Sequence, residues 1–425
     1  MNVKLTAAVL IGFYLLPINA FAQEDAVIEF GLERVEPERA GVSTQRLRLL
    51  DEMLDQHVRD GRVAGLVAGM LHKGQLVYLQ SKGWQEIGVA PMRADSLFQI
   101  RSMSKPITAV AALQLIERGQ LRLEDPVADY IPSFAKVRVF ENSTVADLVV
   151  TRSPSRAMTI ADLLKNTAGL SHRLSALYRQ NNVHSRGDTL AQLADKVAAI
   201  PLIGDPGEQW VYSISLTVLG RVVEVVSGQD FDDYLAQEIF APLDMGDTGF
   251  FVKPDALDRL ARTYRYADSQ LTLLPPMTIP ITQDPPLKEG AAGIVSSVPD
   301  YLRFLQMLLK GGQSEQGLQV LTLDTVREMT KNQIADRLMP LSFDPTQPML
   351  DIGWGYGLAV VVDAAKSEYA THEGEFGWSG SLGTFAWADP VTETALVLML
   401  QIQPAGAHKL AEKFKALAVQ SIIAD

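Results

Sequence analysis

The chain has 425 residues, 47% of them hydrophobic and 21% charged, which is enough apolar material for one large domain or two closely packed ones. Acidic residues outnumber basic ones and the formal net charge is −12, so no basic surface for nucleic acid or an anionic membrane is expected. Because the chain has no cysteine, disulfides, thiol catalysis and a lipid-attachment cysteine are excluded.

The N-terminal stretch MNVKLTAAVLIGFYLLPINAFAQ has the pattern of a secretory signal peptide. Lys4 supplies an early positive charge, Leu5 to Leu16 form an apolar run, and Ala20 and Ala22 make an A-x-A cleavage site. The apolar run, about 12 residues, is shorter than the roughly 20 that span a bilayer, which disfavours a stable membrane anchor. The pattern predicts cleavage after Ala22, a periplasmic or secreted location, and a mature domain over 23–425.

Helix and hairpin patterns follow in the N-terminal third. Ser43 to Gly61 places apolar residues at helical spacing behind a capping serine, and the turn at residues 72–74 joins two strand-like runs as a hairpin. Ile107 to Leu121 predicts a further helix with one apolar face, ended by Gly119.

From about residue 125 to 285 the chain consists mostly of helical segments and polar loops, and strand-like runs return later. Three runs are predicted as strands: Gly353 to Asp363, Gly383 to Pro390, and Glu393 to Gln403. We therefore predict an α+β fold, with an antiparallel sheet (about 30–98 and 286–425) flanked by terminal helices and interrupted by a helical subdomain (about 99–285).

Two Ser-x-x-Lys pairs are candidates for a nucleophile and its base, Ser102 with Lys105 and Ser133 with Lys136. On a helix, residues three apart share one face, and a lysine can take the serine proton if its pKa falls well below about 10.4. The first pair lies between a strand-like segment and a long apolar helix. The second pair runs into the extended-looking VRVF, where the two side chains would point to opposite faces, so we expect it to be idle.

The segment around Ser102, LFQIRSMSKPITAVAALQLIERGQLRLEDPVADYIPSF, resembles the nucleophile segment of class C β-lactamase-like serine hydrolases. These include penicillin-binding DD-peptidases, D-aminopeptidases and family VIII carboxylesterases. Four further blocks resemble the family in the same order, so that the resemblance covers nearly all of the mature chain: IADLLKNTAGL, the block that opens YSISLTVLG, GAAGIVSSVPDYLRFLQMLLKGG and FGWSGSLGTFAWADP.

The resemblance implies the β-lactamase/transpeptidase-like fold and a set of site residues. Ser102 would be the acylated nucleophile, Lys105 its base or proton relay, and Tyr212 of the second motif the group that passes a proton to the leaving group. The backbone N–H groups of Ser102 and Ser381 would form the oxyanion hole, which typically supplies several kcal/mol of transition-state stabilisation.

The sequence departs from the family at two motifs. Ile214 replaces the asparagine of Tyr-x-Asn, and Trp378-Ser379-Gly380 stands where Lys-Thr-Gly is usual, so that these four residues are the expected substrate contacts. A tryptophan at this place is the pattern of family VIII esterases. The cation that would bind the carboxylate of a β-lactam or of a D-alanine terminus is missing there, which favours a neutral acyl or alcohol group.

Other chemistries are poorly supported. GWSGS lacks the closing glycine of a Gly-x-Ser-x-Gly elbow, and GWGYG leads into a strand, unlike a phosphate loop. The six histidines are scattered without metal-ligand spacing, and HEGE at His372 is interpreted as loop or pocket lining. No metal and no cofactor are expected.

The sequence therefore predicts a serine hydrolase that forms an acyl-enzyme on Ser102, with carboxylesterase activity on short-acyl esters as the first expectation. A β-lactamase or a DD-peptidase/D-aminopeptidase is the alternative enzyme. An inactive penicillin- or cell-wall-binding homologue is the alternative of another class. The expected partner is a small ester or amide substrate, and the pattern says nothing of the oligomeric state.

Overall fold

The structure is a computed structural model that describes residues 27–141, 150–277, 280–344 and 346–423. The predicted signal peptide at 1–22 lies outside the described residues, so its cleavage and the predicted location remain predictions. Within the described ranges, no helix combines the length and the hydropathy needed to cross a bilayer.

The helices and strands are numbered in chain order. The α-helices are α1 (Thr44–Arg59), α2 (Ser104–Glu117), α3 (Ile160–Lys165), α4 (Ala176–Gln180), α5 (Leu190–Ala198), α6 (Ser215–Ser227), α7 (Phe231–Leu235), α8 (Val298–Leu309), α9 (Leu323–Met329) and α10 (Leu410–Ser421). The strands are β1 (Val27–Glu29), β2 (Leu32–Arg34), β3 (Gly65–His72), β4 (Gln75–Glu86), β5 (Ala90–Pro91), β6 (Phe98–Gln99), β7 (Val139–Phe140), β8 (Thr151–Arg152), β9 (Tyr264–Ala267), β10 (Gln270–Leu273), β11 (Val295–Ser296), β12 (Ile352–Trp354), β13 (Ala359–Val361), β14 (Phe376–Ser379), β15 (Phe385–Asp389), β16 (Thr394–Met399) and β17 (Ile402–Gln403).

The main sheet is built from both ends of the chain, in the order β1-β2-β4-β3-β16-β15-β14-β13-β12, with β5 attached to β4. Its centre is the antiparallel pairing of β3 with β16, which joins Val67 to Met399 and His72 to Thr394. The sheet is mixed rather than purely antiparallel as predicted, because β2 runs parallel to β4. The α+β class and the contribution of both termini to one sheet are confirmed.

The two faces of the sheet are covered by different helices, as the alternation of side chains along β3 requires. Leu66, Ala68 and Met70 pack toward α1 and α10, whereas Val67 belongs to the main core on the opposite face. On that opposite face α8 approaches closely, because Gly69 has no side chain; a Cβ there would lie 2.8 Å from Val298 and from Leu302. Helix α1 begins as predicted, with the Ser43 side chain accepting from the Arg46 N–H.

Helix α2 is the central helix of the molecule. The sequence predicted one apolar face, but twelve consecutive residues from Ser104 to Leu115 are buried, so that the helix is enclosed on every side. It begins at Ser104 rather than Ile107, and it ends at Glu117, two residues before the left-handed Gly119. This burial fixes the position of the residues that precede its first turn.

One of the predicted strands forms two separate strands in the structure. The run from Gly353 to Asp363 forms β12 and β13, which pair as an antiparallel hairpin with Trp354 opposite Ala359. The glycines of GWGYG make the turn between them: Gly357 has φ of +77°, and a Cβ on Gly355 would lie 2.1 Å from the Met329 carbonyl oxygen. Periodicity alone did not show this break, because both halves are apolar.

Helices α3 to α7 fall within the stretch predicted as a helical subdomain, but the strands β9 and β10 also lie there. Helix α6 packs on both α2 and α3 within the large core cluster. The subdomain boundaries themselves remain a prediction.

Candidate active site

Ser102 lies in a short 3₁₀ turn, Arg101–Met103, between strand β6 and the first turn of α2. Hydrogen bonds hold this turn from three sides. The Tyr301 hydroxyl donates to the Met103 carbonyl at 2.8 Å, and the Thr384 hydroxyl donates to the carbonyl that precedes Arg101 at 3.1 Å. The Ser104 hydroxyl donates to the Arg101 carbonyl at 2.7 Å. The candidate nucleophile is therefore on a rigid support.

Lys105 is the candidate base, and it lies one helical turn after Ser102. Its Nζ is 3.3 Å from Ser102 Oγ and donates to the Ala291 carbonyl at 2.9 Å. The whole residue is only 2% exposed. The carbonyl of Ala291 is itself held in place, because the Ala291 N–H donates to the hydroxyl of Thr217 on α6. The structure thus brings the predicted pair together.

Tyr212 precedes α6 and lies on the other side of the lysine. Lys105 Nζ is 4.4 Å from the centre of the Tyr212 ring, and the indole Nε1–H of Trp378 donates to the Tyr212 hydroxyl at 2.8 Å. Trp378 therefore reaches the tyrosine from the third-motif strand, β14. Three motifs that are far apart in the sequence meet at one point through Ser102, Lys105, Tyr212 and Trp378.

The glycine of the third motif allows β14 to pack directly on the nucleophile turn. A Cβ on Gly380 would lie 2.4 Å from the Ile100 carbonyl oxygen and 3.2 Å from the Arg101 Cβ, so that no other residue fits without a shift. The Gly380 N–H donates to the Thr384 carbonyl at 2.7 Å and closes a turn around Ser381. Ser381 thus lies beside the turn that carries Ser102, as two oxyanion-binding N–H groups require.

An aromatic wall lines the tyrosine side of the site. The Tyr212 ring centre lies 5.1 Å from that of Phe343 and 5.5 Å from that of Trp378, and Trp354 and Trp210 pack behind them. Trp354 and Trp210 are buried, while Phe343 is 58% exposed. The wall is an apolar surface beside the candidate nucleophile.

Ile214 does not reach the site. It is 1% exposed and belongs to the main hydrophobic core, directly before α6, so that its side chain cannot contact a substrate as expected from the motif position. The isoleucine therefore fills the core where an asparagine would offer an amide. Ser379 and Ser381, in contrast, are exposed, and Gly380 is buried.

The second Ser-x-x-Lys pair is separate from these residues. Pro132–Lys136 forms a 3₁₀ helix rather than the extended segment predicted, so the geometric reason given for its idleness was wrong. Lys136 is exposed, however, and the Ser133 hydroxyl has no hydrogen-bond partner among the described residues. No described residue therefore forms a hydrogen bond that would activate this serine.

His172 was missed among the scattered histidines. Its ring stacks on Tyr212 with centres 5.9 Å apart, and its Nδ1 accepts from the Leu174 N–H at 3.2 Å, so the neutral ring carries its proton on Nε2. Burial, together with the charge of Lys105, lowers the pKa of His172 to about 4. The histidine is thus a neutral group at pH 7, and only its position in the fold reveals it.

Glu289, also missed, is a buried carboxylate two residues before Ala291. Burial by itself would raise its pKa, but Arg173 at 3.6 Å, His184 at 3.1 Å and the nearby Arg101 hold the pKa well below its usual range. Because Arg101 precedes the candidate nucleophile, this ionised group belongs to the surroundings of the site. Its residue type and spacing carry no signal in the sequence.

His372, predicted as loop or pocket lining, lies near Glu375 and Asp389. One ligand atom from each lies within 4.8 Å of the others. His372 Nδ1 is 2.8 Å from an Asp389 oxygen, and the Lys415 ammonium group forms an ion pair with Glu375. Because a lysine already neutralises the most buried carboxylate, we interpret these contacts as an internal ion-pair network.

A lysine one helical turn after a serine, a tyrosine across from both, and a mixed sheet covered by helices define the serine hydrolases of the β-lactamase fold. The chain belongs to the beta-lactamase family, whose family model matches residues 50–420. The family resemblance and the fold predicted from the sequence are thus confirmed.

Individual proteins that are similar to this chain are described under different names. An uncharacterized protein of Mycobacterium tuberculosis is 32% identical over 351 residues, covering 81% of this chain and 87% of its own length. Esterase EstB of Burkholderia gladioli is 29% identical over 377 residues, covering 82% and 89%. The solved structure of EstCE1, described as a hydrolase with promiscuous acyltransferase activity, superposes with a TM-score of 0.75 at 24% identity, covering 89% and 99%.

Proposed function

We propose that this protein is a carboxylesterase that hydrolyses short-acyl esters through an acyl-enzyme on Ser102. The observation that carries the proposal is the Trp378 Nε1–H, which donates to the Tyr212 hydroxyl at 2.8 Å from the place of the family's motif lysine. The indole supplies a hydrogen bond to the proton-transfer group without bringing a positive charge to the substrate site.

The surroundings of Trp378 support an ester over a β-lactam or a D-alanine terminus. Both of these substrates carry a carboxylate that a motif lysine would bind, whereas the rings of Tyr212, Phe343 and Trp378 form an apolar wall here. A short acyl chain that packs on this wall buries apolar surface, which is favourable, and buries no polar group. The similarity to the protein named Esterase EstB supports the same substrate class.

Acylation begins when the lone pair of an uncharged Lys105 amine, with Nζ 3.3 Å from Ser102 Oγ, takes the serine proton and Oγ attacks the ester carbonyl carbon. The carbonyl oxygen becomes an oxyanion that accepts hydrogen bonds from the N–H groups of Ser102 and Ser381. The proton passes through Tyr212 to the leaving alkoxide, the ester C–O bond breaks, and the alcohol departs. Water repeats the sequence on the acyl-enzyme and releases the acid.

The test compares two substrates on one enzyme preparation. We expect 4-nitrophenyl butyrate to be hydrolysed at least 100-fold more efficiently, in kcat/KM, than a chromogenic cephalosporin. A cephalosporin turned over faster than the butyrate ester would make the β-lactamase or peptidase alternative correct.

A second measurement separates an enzyme from an inactive binding homologue. Treatment with a serine-reactive phosphonate should add one adduct, located on Ser102 by peptide mass spectrometry, and Ser102→Ala should abolish it. Ser133→Ala is the matched control, because it removes the serine of the other Ser-x-x-Lys pair and should leave the adduct intact. A folded protein without an adduct on Ser102 would favour the binding homologue.

A further inference from the structure

Three arginines line a cavity of about 450 Å³ that opens beside Ser381. Arg101, Arg173 and Arg265 contribute their side chains to its wall, and Leu382 and Tyr266 are among its other lining residues. A larger cavity of about 880 Å³ shares Arg101, Arg265 and Leu382 with it, and its lining also contains Arg262 and the carboxylates of Glu86 and Asp258. The cationic cavity thus adjoins the candidate oxyanion hole, beside the residue that follows the third motif.

Positive charge exceeds negative charge around the 450 Å³ cavity, whose described lining contains three arginines and no carboxylate. Arg173 lies 3.6 Å from the buried carboxylate of Glu289, and among the described residues no carboxylate lies within ion-pair distance of Arg101, Arg186 or Arg265. One carboxylate therefore faces Arg101, Arg173 and Arg186. Burial, together with the positive charges of Arg173 and Arg186, lowers the pKa of Arg101 to about 10. Cations that are held together in a half-buried site without enough counter-charge favour an anionic ligand.

No oxygen acceptor among the described residues engages the Arg101 guanidinium, which leaves its donors free for such a ligand. The only hydrogen bond of the Arg101 guanidinium to a described residue goes to the sulfur of Met277 at 3.7 Å, and sulfur is a weak acceptor. Arg186 is not among the lining residues, and its Nε and one terminal nitrogen are buried without a partner among the described residues, so it adds positive charge near Arg101 rather than donors that a ligand would meet. Guanidinium groups offer paired N–H donors that match the two oxygens of a carboxylate.

The position of Arg101 links the anion to the reaction. It directly precedes Ser102 and has a left-handed φ of +50°, and a Cβ built on Gly380 would lie 3.2 Å from the Arg101 Cβ. Ser381 borders both the candidate oxyanion hole and the arginine cavity. When an ester carbonyl occupies that hole, a substrate group a few bonds from the carbonyl would therefore lie in the arginine cavity. The aromatic wall at Tyr212 and Trp378 provides a separate apolar surface for the uncharged part of such a substrate.

We propose that the arginine cavity binds an anionic group of the substrate, so that the preferred esters carry a carboxylate a few carbons from the scissile bond. This inference rests on the proposed esterase activity and narrows its substrate class. Arg101, Arg173 and Arg265 recognise the anion. The third motif does not take part in this recognition, because its Trp378 is hydrogen-bonded to Tyr212.

The kinetic test uses esters that differ only in charge. Mono-4-nitrophenyl glutarate carries a free carboxylate, and its methyl ester is the neutral match. We expect the KM for the monoacid to be at least 10-fold lower than that for the methyl ester, and the difference to shrink as NaCl rises. A second pair, phenyl butyrate with and without a para-carboxylate, places the negative charge on the alcohol portion instead. A lower KM for the charged ester of either pair supports the proposal and shows which portion of the ester carries the anion.

The variant Arg265→Gln tests the role of the arginine cavity. Arg265 is exposed and forms no ion pair with a described residue, so its replacement should not disturb folding. It should reduce the preference for the monoacid over the methyl ester at least threefold through KM, whereas Arg265→Lys should retain part of it. Arg327→Gln on α9 is the matched control, since Arg327 is a 68% exposed arginine whose ion-pair partner is Asp324. It should leave the preference unchanged.

Binding measurements separate this inference from the esterase proposal. By isothermal titration calorimetry, monomethyl glutarate should bind the full-length protein with at least 10-fold higher affinity than dimethyl glutarate, whether or not esters are hydrolysed. Equal binding of the two, or no binding of the monoanion, would overturn the arginine site even if 4-nitrophenyl butyrate is a good substrate. Conversely, preferential binding of the monoanion by a protein that hydrolyses no ester would refute only the esterase.

Discussion

The hydrogen bond from Trp378 to Tyr212 can be removed with little change of shape by Trp378→Phe. The substitution keeps an aromatic ring next to Trp354 and Phe343 but deletes the Nε1–H that lies 2.8 Å from the tyrosine oxygen. If Tyr212 carries negative charge as the proton passes, the lost bond is one to a charged group, worth about 1.5–3 kcal/mol. At about 1.4 kcal/mol per tenfold change in rate, this predicts a fall of about 10- to 150-fold.

The assay is steady-state hydrolysis of 4-nitrophenyl butyrate, with kcat and KM measured separately. Because the bond strengthens in the transition state, kcat should fall while KM changes by less than about threefold. The smaller ring leaves a small cavity, so the melting temperature must be measured for each variant.

Trp387→Phe is the control, since Trp387 lies on the neighbouring strand opposite Gly377 and its ring packs under the Lys415 ammonium group at 4.9 Å. It should lower stability without lowering kcat. A folded Trp378→Phe enzyme with wild-type kcat would refute the role assigned to the indole N–H.

Four further outcomes are expected. Because His172 has a folded pKa of about 4, below its unfolded value near 6.5, the free energy of unfolding should fall as pH drops between these values, and His172→Asn should weaken that dependence in pH-resolved urea titrations. Gly380→Ala should cost at least about 100-fold in kcat, because its Cβ would meet the Ile100 oxygen at 2.4 Å and displace the candidate oxyanion strand; a mutant with normal kcat would contradict this. Ser133→Ala should leave kcat/KM within twofold of wild type, and a larger loss would show that this serine is not idle. N-terminal sequencing of the exported protein should begin at Gln23, whereas an intact N-terminus would refute the predicted cleavage.

The sequence was sufficient for the parts of this protein that depend on local pattern. Helix α1 with its Ser43 cap and the hairpin at residues 72–74 follow from periodicity and turn chemistry, which act over a few residues. The spacing of Ser102 and Lys105 on one helical turn is likewise local, and the structure places their reactive atoms 3.3 Å apart. The order of the motifs was enough to indicate the family.

Only the tertiary structure decided the properties that depend on which distant residues become neighbours. Ile214 is in the core although its motif position suggested a substrate contact, because burial of α6 turns it inward. His172 and Glu289 have no recognisable spacing, yet packing brings one against Tyr212 and the other between arginines. The positive charge around Ser381 comes from arginines in separate parts of the chain, and only folding brings them to one cavity.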